Sequence, residues 1–479
     1  MTDSNRIARA AYMLATGRAP GLVVAFAIPL VLARVFDQAE FGTYKQLFLI
    51  YTTLFGLAQI GMAESLYYFV PRETSAAGRF VANSLLALAA IGLTAVAILT
   101  VERNQIAAWL TNSALAPHLP AIGWYLAFML ASAVFEIVLL SRKRNGTAAW
   151  AYALSDIARA ACMTIPAIFA WGLGGVMAGA VAFAASRLVF TLVAMVAEFR
   201  GTLRPDFLVL RRQLAYALPF AIAVGIEVLH INWHQYAVAA RFDAASFAIY
   251  AVGCLQVPVV DLIVGSTCNV MMVEMAAVQG RDNGAARWLW HETMGRLAFM
   301  IFPLAAFLIV MAREIIVLLF TSRYEASVPI FMLWSLTMLA SVFLVDGVLR
   351  AFAQTKYLLA QNVIHLAIVA SLAGTFLTLF GLQGAVLITL FATLVVRSIA
   401  VVRISHLMQI RLSEALPWRA LATAASCAIV ATIPTFAVAR TTPLPPLMVL
   451  PLAGFAYAAT YGAIVYGIHR RRNQLLCAA

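Results

Sequence analysis

The sequence predicts an all-α polytopic membrane protein of about fourteen transmembrane helices, built as two parallel-repeat six-helix lobes plus a C-terminal helix pair. Three observations carry that expectation: a missing charged shell, the lengths of the apolar runs, and a connector that occurs twice. Only 11% of the residues are charged against 63% hydrophobic, whereas a soluble domain carries about 25% charged residues. A large core hides apolar residues only behind a polar exterior that this chain lacks. Its Ala- and Leu-rich runs favour helices over an alternating barrel.

Apolar segments bounded by charge, Pro or Gly lie at 12–34, 43–66, 80–101, 119–140, 148–170 and 173–197, before a polar break at 198–213. Six more follow at 214–237, 248–272, 295–319, 328–349, 357–380 and 383–405, and a last pair at 418–438 and 446–468. Each is long enough to cross a ~30 Å hydrocarbon layer at 1.5 Å per residue. The expected domains are therefore 1–197 (first lobe), 198–213 (cytoplasmic linker), 214–405 (second lobe) and 406–479 (extra pair and basic tail).

Charge placement supports the same count. With the N-terminus in the cytoplasm, 21 Lys and Arg fall in or beside inside loops. Six lie outside: Arg34, Lys45, Arg103, Arg241, Arg323 and Arg440. That asymmetry is the positive-inside bias, with both termini cytoplasmic. The net charge of +13 thus belongs to the membrane surface, and a nucleic-acid partner is not expected. Residues 1–11 are basic and lead into an apolar run with no small-residue cleavage site, which reads as a retained first helix. Cys162, Cys254, Cys268, Cys427 and Cys477 form no close pair and read as small apolar residues, so no metal centre or cofactor is expected.

The connector Arg34–Tyr44, RVFDQAEFGTY, recurs as Ala240–Tyr250, ARFDAASFAIY, after a shift of 206 positions. Phe36, Asp37, Ala39, Phe41 and Tyr44 superpose on Phe242, Asp243, Ala245, Phe247 and Tyr250. An even number of helices per repeat gives both halves one orientation, related by an axis along the membrane normal. Asp37, Glu40 and Phe41 read as a turn and helix-start device at the outer surface.

Charges within the spans are the candidate functional residues, because a charge at mid-bilayer faces a protein interior or a wet cavity. The basic ones are Arg18, Arg159, Arg187 and Arg397; the acidic ones are Asp156 and Asp261. Asp156 and Arg159, three apart, can satisfy each other on one helix face. The basic set still exceeds the acidic one, and a cavity with surplus guanidinium suits an anionic, phosphate-bearing cargo. Internal pairing that only holds the bundle together is the alternative. Glu227, His230 and His234 share one stripe of the seventh helix, which reads either as a titratable ion-coupling stripe or as an interhelical polar contact. Glu64, Glu136, Asp346 and Arg350 fall near cytoplasmic ends, where snorkelling makes a charge cheap. In-span prolines such as Pro219 and Pro303 allow bending.

No nucleotide-binding GxxxxGK[ST], GxGxxG or HExxH pattern occurs, and no polar loop is long enough for a catalytic domain. A membrane-embedded glycan-processing enzyme, a receptor and a scaffold are weaker readings than a transporter.

LARVFDQAEFGTY at Leu32–Tyr44 and GMAESLYYFVPR at Gly61–Arg72 resemble the start of the polysaccharide-biosynthesis flippases. These are the Wzx-type branch of the multidrug/oligosaccharidyl-lipid/polysaccharide exporter superfamily. The resemblance is specific in the first 75 residues and generic beyond them. It implies two six-helix lobes around a V-shaped central cavity that opens alternately to either side. The implied cargo is a polyprenyl-diphosphate-linked oligosaccharide, an O-antigen or exopolysaccharide repeat unit, moved to the periplasmic leaflet of a bacterial inner membrane. Ion-gradient drive by H+ or Na+, action as a monomer, and a polysaccharide polymerase and glycosyltransferases as functional neighbours are implied as well. Under the resemblance, Arg18 and the Glu227–His230–His234 stripe line the cavity, while Arg159, Arg187 and Arg397 are assigned by chemistry. The alternatives are a lipid II flippase and a cation/drug antiporter.

Overall fold

The computed structural model describes residue 24 and residues 26–278, 282–441 and 445–478. It is helical, and its contacts divide it into two compact units, Met1–Ala248 and Ile249–Ala479. The seventh expected span is thereby grouped with the first unit.

The first unit opens with α1 (Phe26–Val35) and the first connector, where the chain turns into α2 (Gln38–Ala58). The turn is set locally. Asp37 is extended, and its Oδ1 accepts the Glu40 N–H at 2.7 Å, satisfying one of the orphan donors of a helix start. Glu40 has a longer reach: its Oε1 accepts the Leu173 N–H at 2.7 Å, pinning the connector to the first turn of a later helix, α9 (Gly172–Glu198). The second copy keeps the cap, with the Ser246 N–H donating to Asp243 Oδ1 at 2.8 Å at the start of α11 (Ala244–Gly253). The two copies also touch. A Cβ on Gly42 would stand 1.8 Å from the Ala244 carbonyl oxygen, so only glycine fits there.

The second expected span, 43–66, is not one helix. After α2 the backbone takes left-handed φ at Ile60 (46°) and Gly61 (65°), and helix resumes only at α3 (Leu66–Arg72). A polar brace holds this break to its neighbours. Gln213 Nε2 donates to Ser65 Oγ and to Ser84 Oγ, both at 2.7 Å, and Ser84 Oγ donates to the Met62 carbonyl at 3.0 Å. Ser84 lies on α4 (Ala77–Val101) and Gln213 on α10 (Phe207–Ala239). Between these come α5 (Arg103–Trp109), α6 (Leu119–Ser132), α7 (Val134–Ser141) and α8 (Asn145–Ile168). The helices α4 with α6, α6 with α9, and α8 with α9 form the main packed pairs.

The polar break that begins α10 is clasped at its end. Asp206 Oδ1 accepts the Leu208 and Val209 N–H groups at 3.0 and 3.2 Å, Arg79 pairs with its carboxylate at 3.0 Å, and Asn83 bonds both to and from its backbone at 3.0 Å. These bonds hold the Asp206 carboxyl below its ordinary value, the Val209 N–H contributing most.

The second unit contains α12 (Pro258–Val278), α13 (Asn283–Val310), α14 (Ala312–Phe320), α15 (Val328–Thr337), α16 (Val345–Ala351), α17 (Thr355–Phe380), α18 (Leu382–Met408), α19 (Trp418–Thr441) and α20 (Pro446–Ala478). Fully buried Trp290 donates its indole N–H to the Phe343 carbonyl at 2.9 Å. The last pair is part of this unit's core: Tyr461 Oη donates to the Phe299 carbonyl at 2.9 Å, and Tyr457 Oη to that of Ala428 at 3.2 Å.

Among the described residues ten helices are long and apolar enough to cross a membrane, or eleven with α10, whose pieces Phe207–Pro219 and Ala221–Ala239 bend by 43°. The difference from fourteen has particular causes. Most of the first expected span, including Arg18, lies outside the described residues. The second is interrupted at Ile60–Gly61. The fifth, α8, carries Asp156 and Arg159 and is the most amphipathic of the long helices. The seventh is the bent α10, and the eighth, expected as 248–272, keeps its place in the count through α12 although a non-helical stretch at 254–257 separates it from α11.

Candidate functional site

The interior charges of the first unit gather on α7, α8 and α9. Arg187 Nη2 meets Glu136 Oε1 at 2.7 Å and its Nη1 reaches Ser155 Oγ at 3.1 Å. One turn along α8, Arg159 pairs with Asp156 at 2.7 Å. The Arg159 guanidinium lies within electrostatic reach of Tyr125 on α6 and Tyr51 on α2, whose rings are 4.6 Å apart. Beside the Arg187–Glu136 pair opens a cavity of about 530 Å³, walled chiefly by Phe135, Trp150, Leu154, Phe183 and Phe190. An open apolar groove, with Trp150, Leu154 and Phe190 exposed along it and one ion pair at its side, suits a ligand with a hydrocarbon part and a charged group.

The second unit repeats the pair. Arg397 Nη1 meets Asp346 Oδ2 at 2.7 Å, and in both units the partners are 51 positions apart. Glu136 and Asp346 are separated by the same 210 positions as Arg187 and Arg397. An arginine–carboxylate pair of the same spacing thus joins α7 to α9 and α16 to α18. His365, opposite Arg159 in the repeat, faces Thr393 Oγ1 at 3.3 Å.

These pairs correct the expected charge surplus. Arg159, Arg187 and Arg397 each hold a carboxylate. Two of those carboxylates, Glu136 and Asp346, are the acids expected to snorkel near cytoplasmic ends. The Glu136 side chain is 4% exposed, so it is a buried partner and no surface group. Among the described arginines of the expected set, none supplies an unbalanced interior charge. The signal for it in the sequence is the shared spacing of 51 residues at a shift of 210, four positions beyond the connector's shift of 206.

The stripe on α10 is graded: Glu227 is exposed, His230 half-buried and His234 buried, at 5% exposure. Asp261 stands exposed in the first turn of α12, in the other unit. The structure therefore brings together Asp156, Arg159 and Arg187 in the first unit, and Arg397 and Asp261 belong to the second. No group of three His, Cys, Asp or Glu able to hold a metal ion occurs among the described residues, and the cysteines Cys162, Cys254, Cys268 and Cys427 are free thiols.

Comparison with known proteins adds lineage to this geometry. The family model described as polysaccharide biosynthesis protein matches residues 31–329, more than half of the chain. The chain belongs to the polysaccharide biosynthesis protein family. No curated protein sequence matches it. Among solved structures, this family member is similar to the lipid II flippase MurJ in an inward closed conformation, with a TM-score of 0.75 at 12% identity over 96% of this chain and 99% of that one. It is also similar to a multidrug-resistance MATE transporter of the MOP superfamily. The inward-facing form gives a TM-score of 0.59 at 14% identity over 83% and 95% of the chains. The outward-facing form gives 0.58 at 13% over 83% and 96%. The fold is the one these solved transporters share.

Proposed function

We propose that this chain is a non-catalytic flippase that carries a polyprenyl-diphosphate-linked saccharide from the cytoplasmic to the periplasmic leaflet of a bacterial inner membrane. The observation that carries the reading is the joint one: membership of a polysaccharide biosynthesis family on a fold that matches a lipid II flippase over 96% of the chain. That match favours a lipid II-type cargo over an O-antigen or exopolysaccharide repeat unit. It also exceeds the likeness to the drug transporters, which supports a lipid-linked cargo over a drug cation.

The reading keeps fourteen spans in two six-helix lobes with both termini cytoplasmic, joined by the linker 198–213, with alternating access and a monomer as the transport unit. A polysaccharide polymerase and glycosyltransferases are its functional neighbours. The diphosphate is recognised by exchange: an incoming phosphate takes the place of Glu136 on Arg187, with Arg159 one turn away and Arg18 as a further donor, and the Arg397–Asp346 pair of the second unit offers the same exchange there. Charge-assisted bonds of similar strength make such an exchange feasible. The aromatic chamber beside Arg187 receives part of the polyprenyl chain. The stripe Glu227, His230 and His234, with Asp156 and Asp261, is the polar set for ion coupling.

Flipping of fluorescent lipid II and of a labelled undecaprenyl-diphosphate saccharide in proteoliposomes tests this. Translocation of either by the reconstituted protein is expected. Drug-stimulated ion exchange without movement of either lipid would replace the reading with that of an antiporter.

A further inference from the structure

Beside the short helix α5 the first unit carries a further apolar recess, of about 450 Å³, which shares no residue with the groove at Arg187. Ile50 and Leu54 of α2, Ile91 and Ile98 of α4, Ile106 of α5 and Leu126 of α6 wall it. Its lining runs from Ile50 to Ala58 along α2 and from Ile91 to Leu99 along α4. Each stretch is about 12 Å long at 1.5 Å per residue. That is close to half of a ~30 Å hydrocarbon layer, the depth of a single leaflet. Leu99 stands two residues before α4 stops at Val101, at the end that the charge asymmetry reads as outside.

The lining accepts hydrocarbon and little else. The Thr94 hydroxyl donates to the Ala90 carbonyl at 2.9 Å and the Tyr236 hydroxyl to that of Leu49 at 3.4 Å, so both are bonded to backbone. The rings of Trp109 and Tyr236, both in the lining, stack 5.9 Å apart at 24°. Such rings, apolar in body and polar at the tip, sit at membrane–water interfaces. The Ile106 N–H donates to the Glu102 carbonyl at 2.9 Å, so Glu102 and Arg103 stand one turn ahead of Ile106 on α5. Among the described residues neither is in an ion pair. A slot one leaflet deep thus carries an acid and a base side by side at its outer end. A phosphodiester matches the guanidinium and an ammonium matches the carboxylate. The two charges cancel, as they do in a zwitterionic headgroup.

We propose that this recess binds one zwitterionic phospholipid of the outer leaflet. Its phosphodiester rests on Arg103, its amine on Glu102, and one acyl chain lies along α2 and α4. A polyprenyl tail is far longer than this depth, whereas an acyl chain matches it. Bound there, the lipid joins Tyr236 of α10 to α4 and α5. The site is independent of the cargo and rests on the topology only for which leaflet supplies the lipid.

Native mass spectrometry of the purified full-length chain, offered phosphatidylethanolamine, phosphatidylglycerol or undecaprenyl phosphate in turn, reads the site. No flipping is measured, so failure of the cargo assignment leaves this test standing. One phosphatidylethanolamine per chain is expected to be retained in preference to the other two lipids. Ile98 is 54% exposed on the recess wall and accepts a larger side chain without disturbing the core. Ile98→Trp should lower the apparent affinity about tenfold, the worth of roughly two buried methylenes. Leu379→Trp, at an exposed position of α17 outside the recess, should leave it unchanged. Glu102→Gln should erase the preference for the ethanolamine over the glycerol headgroup. Retention that survives Ile98→Trp, an equal loss in Leu379→Trp, a headgroup preference that survives Glu102→Gln, stronger retention of undecaprenyl phosphate, or no retained lipid overturns the proposal. Should Ile98→Trp fail to fold, Thr94→Phe on the same wall carries the test: a similar loss supports the site and an unchanged affinity overturns it.

Discussion

Gly42 and Ala244 are in contact through backbone: a Cβ on the glycine would lie 1.8 Å from the alanine's carbonyl oxygen. Each belongs to one copy of the repeated connector, so the two copies pack on each other and only one can afford a side chain. The asymmetry in the sequence follows. Copy one keeps Gly42, while the matching position in copy two is Ala248, buried without such a constraint.

Substitution at these positions should therefore be unequal. Gly42→Ala forces the backbones apart and is expected to cost about 1–3 kcal/mol as overpacking, lowering the thermal midpoint of the purified protein. Ala248→Gly should cost under ~1 kcal/mol, the backbone-entropy penalty of a helical glycine. Equal effects on unfolding would show that the contact is not tight in solution.

The repeated ion pair makes a second prediction. Arg187→Ala leaves Glu136 buried and unpaired, as Glu136→Ala leaves Arg187, and each is expected to destabilise by ~3–5 kcal/mol. The double change Arg187→Met with Glu136→Leu should recover most of that stability. Flipping assays on the stable double variant then separate two roles. Wild-type transport means the pair is a brace, and loss of transport at normal stability means Arg187 meets the cargo.

Removing the polar brace at the helix break should loosen it. Gln213→Ala removes the donor to Ser65 and Ser84 Oγ, which keep their own bonds to the Met62 carbonyl, and is expected to cost about 0.5–1.5 kcal/mol. Hydrogen exchange over Met62–Leu66 should accelerate while exchange in α17 and α18 stays as it was.

Acid should act first on the linker. The folded-state carboxyl of Asp206 titrates below its unfolded value because the Val209 and Leu208 N–H groups and Arg79 favour the charged form. A depressed acid stabilises above the unfolded value, near pH 4, and that contribution is lost as pH falls through the lower folded value. Asp243, held low by Ser246, behaves alike. Protease nicking at 198–206 should therefore be unchanged between pH 7 and 5 and rise below about pH 4. In Asp206→Asn the rise should be flatter.

What could be read from the chain was what is local or periodic. Asp37 and Asp243 cap helices three residues away, and that signal survives in any sequence. The spans of α4, α17 and α18 announce themselves because apolar residues run unbroken through them. The breaks were hidden, because a hydropathy window passes smoothly over Gln59–Ser65 although Ile60 and Gly61 turn left-handed there. For that reason Glu64 looked like a surface acid. The partners Glu136 and Arg187 were visible singly and invisible as a pair, since contact across 51 residues is fixed by helix packing rather than by spacing. Tyr51 and Tyr125 joined the site in the same way, through packing of α2 on α6.

The spacing of the ion pairs has a consequence for how the chain is made. Glu136 lies on α7 and Arg187 on α9, and Asp346 and Arg397 stand likewise on α16 and α18. During synthesis each acid enters the membrane two helices ahead of its counter-charge, and a lone carboxylate there costs several kcal/mol. A nascent chain that stops before residue 187 holds an uncompensated acid, and so does one that stops before residue 397. Each pair thus becomes electrically complete only when the helix of its arginine arrives, so the helix of the acid settles in the bilayer only together with the two that follow it.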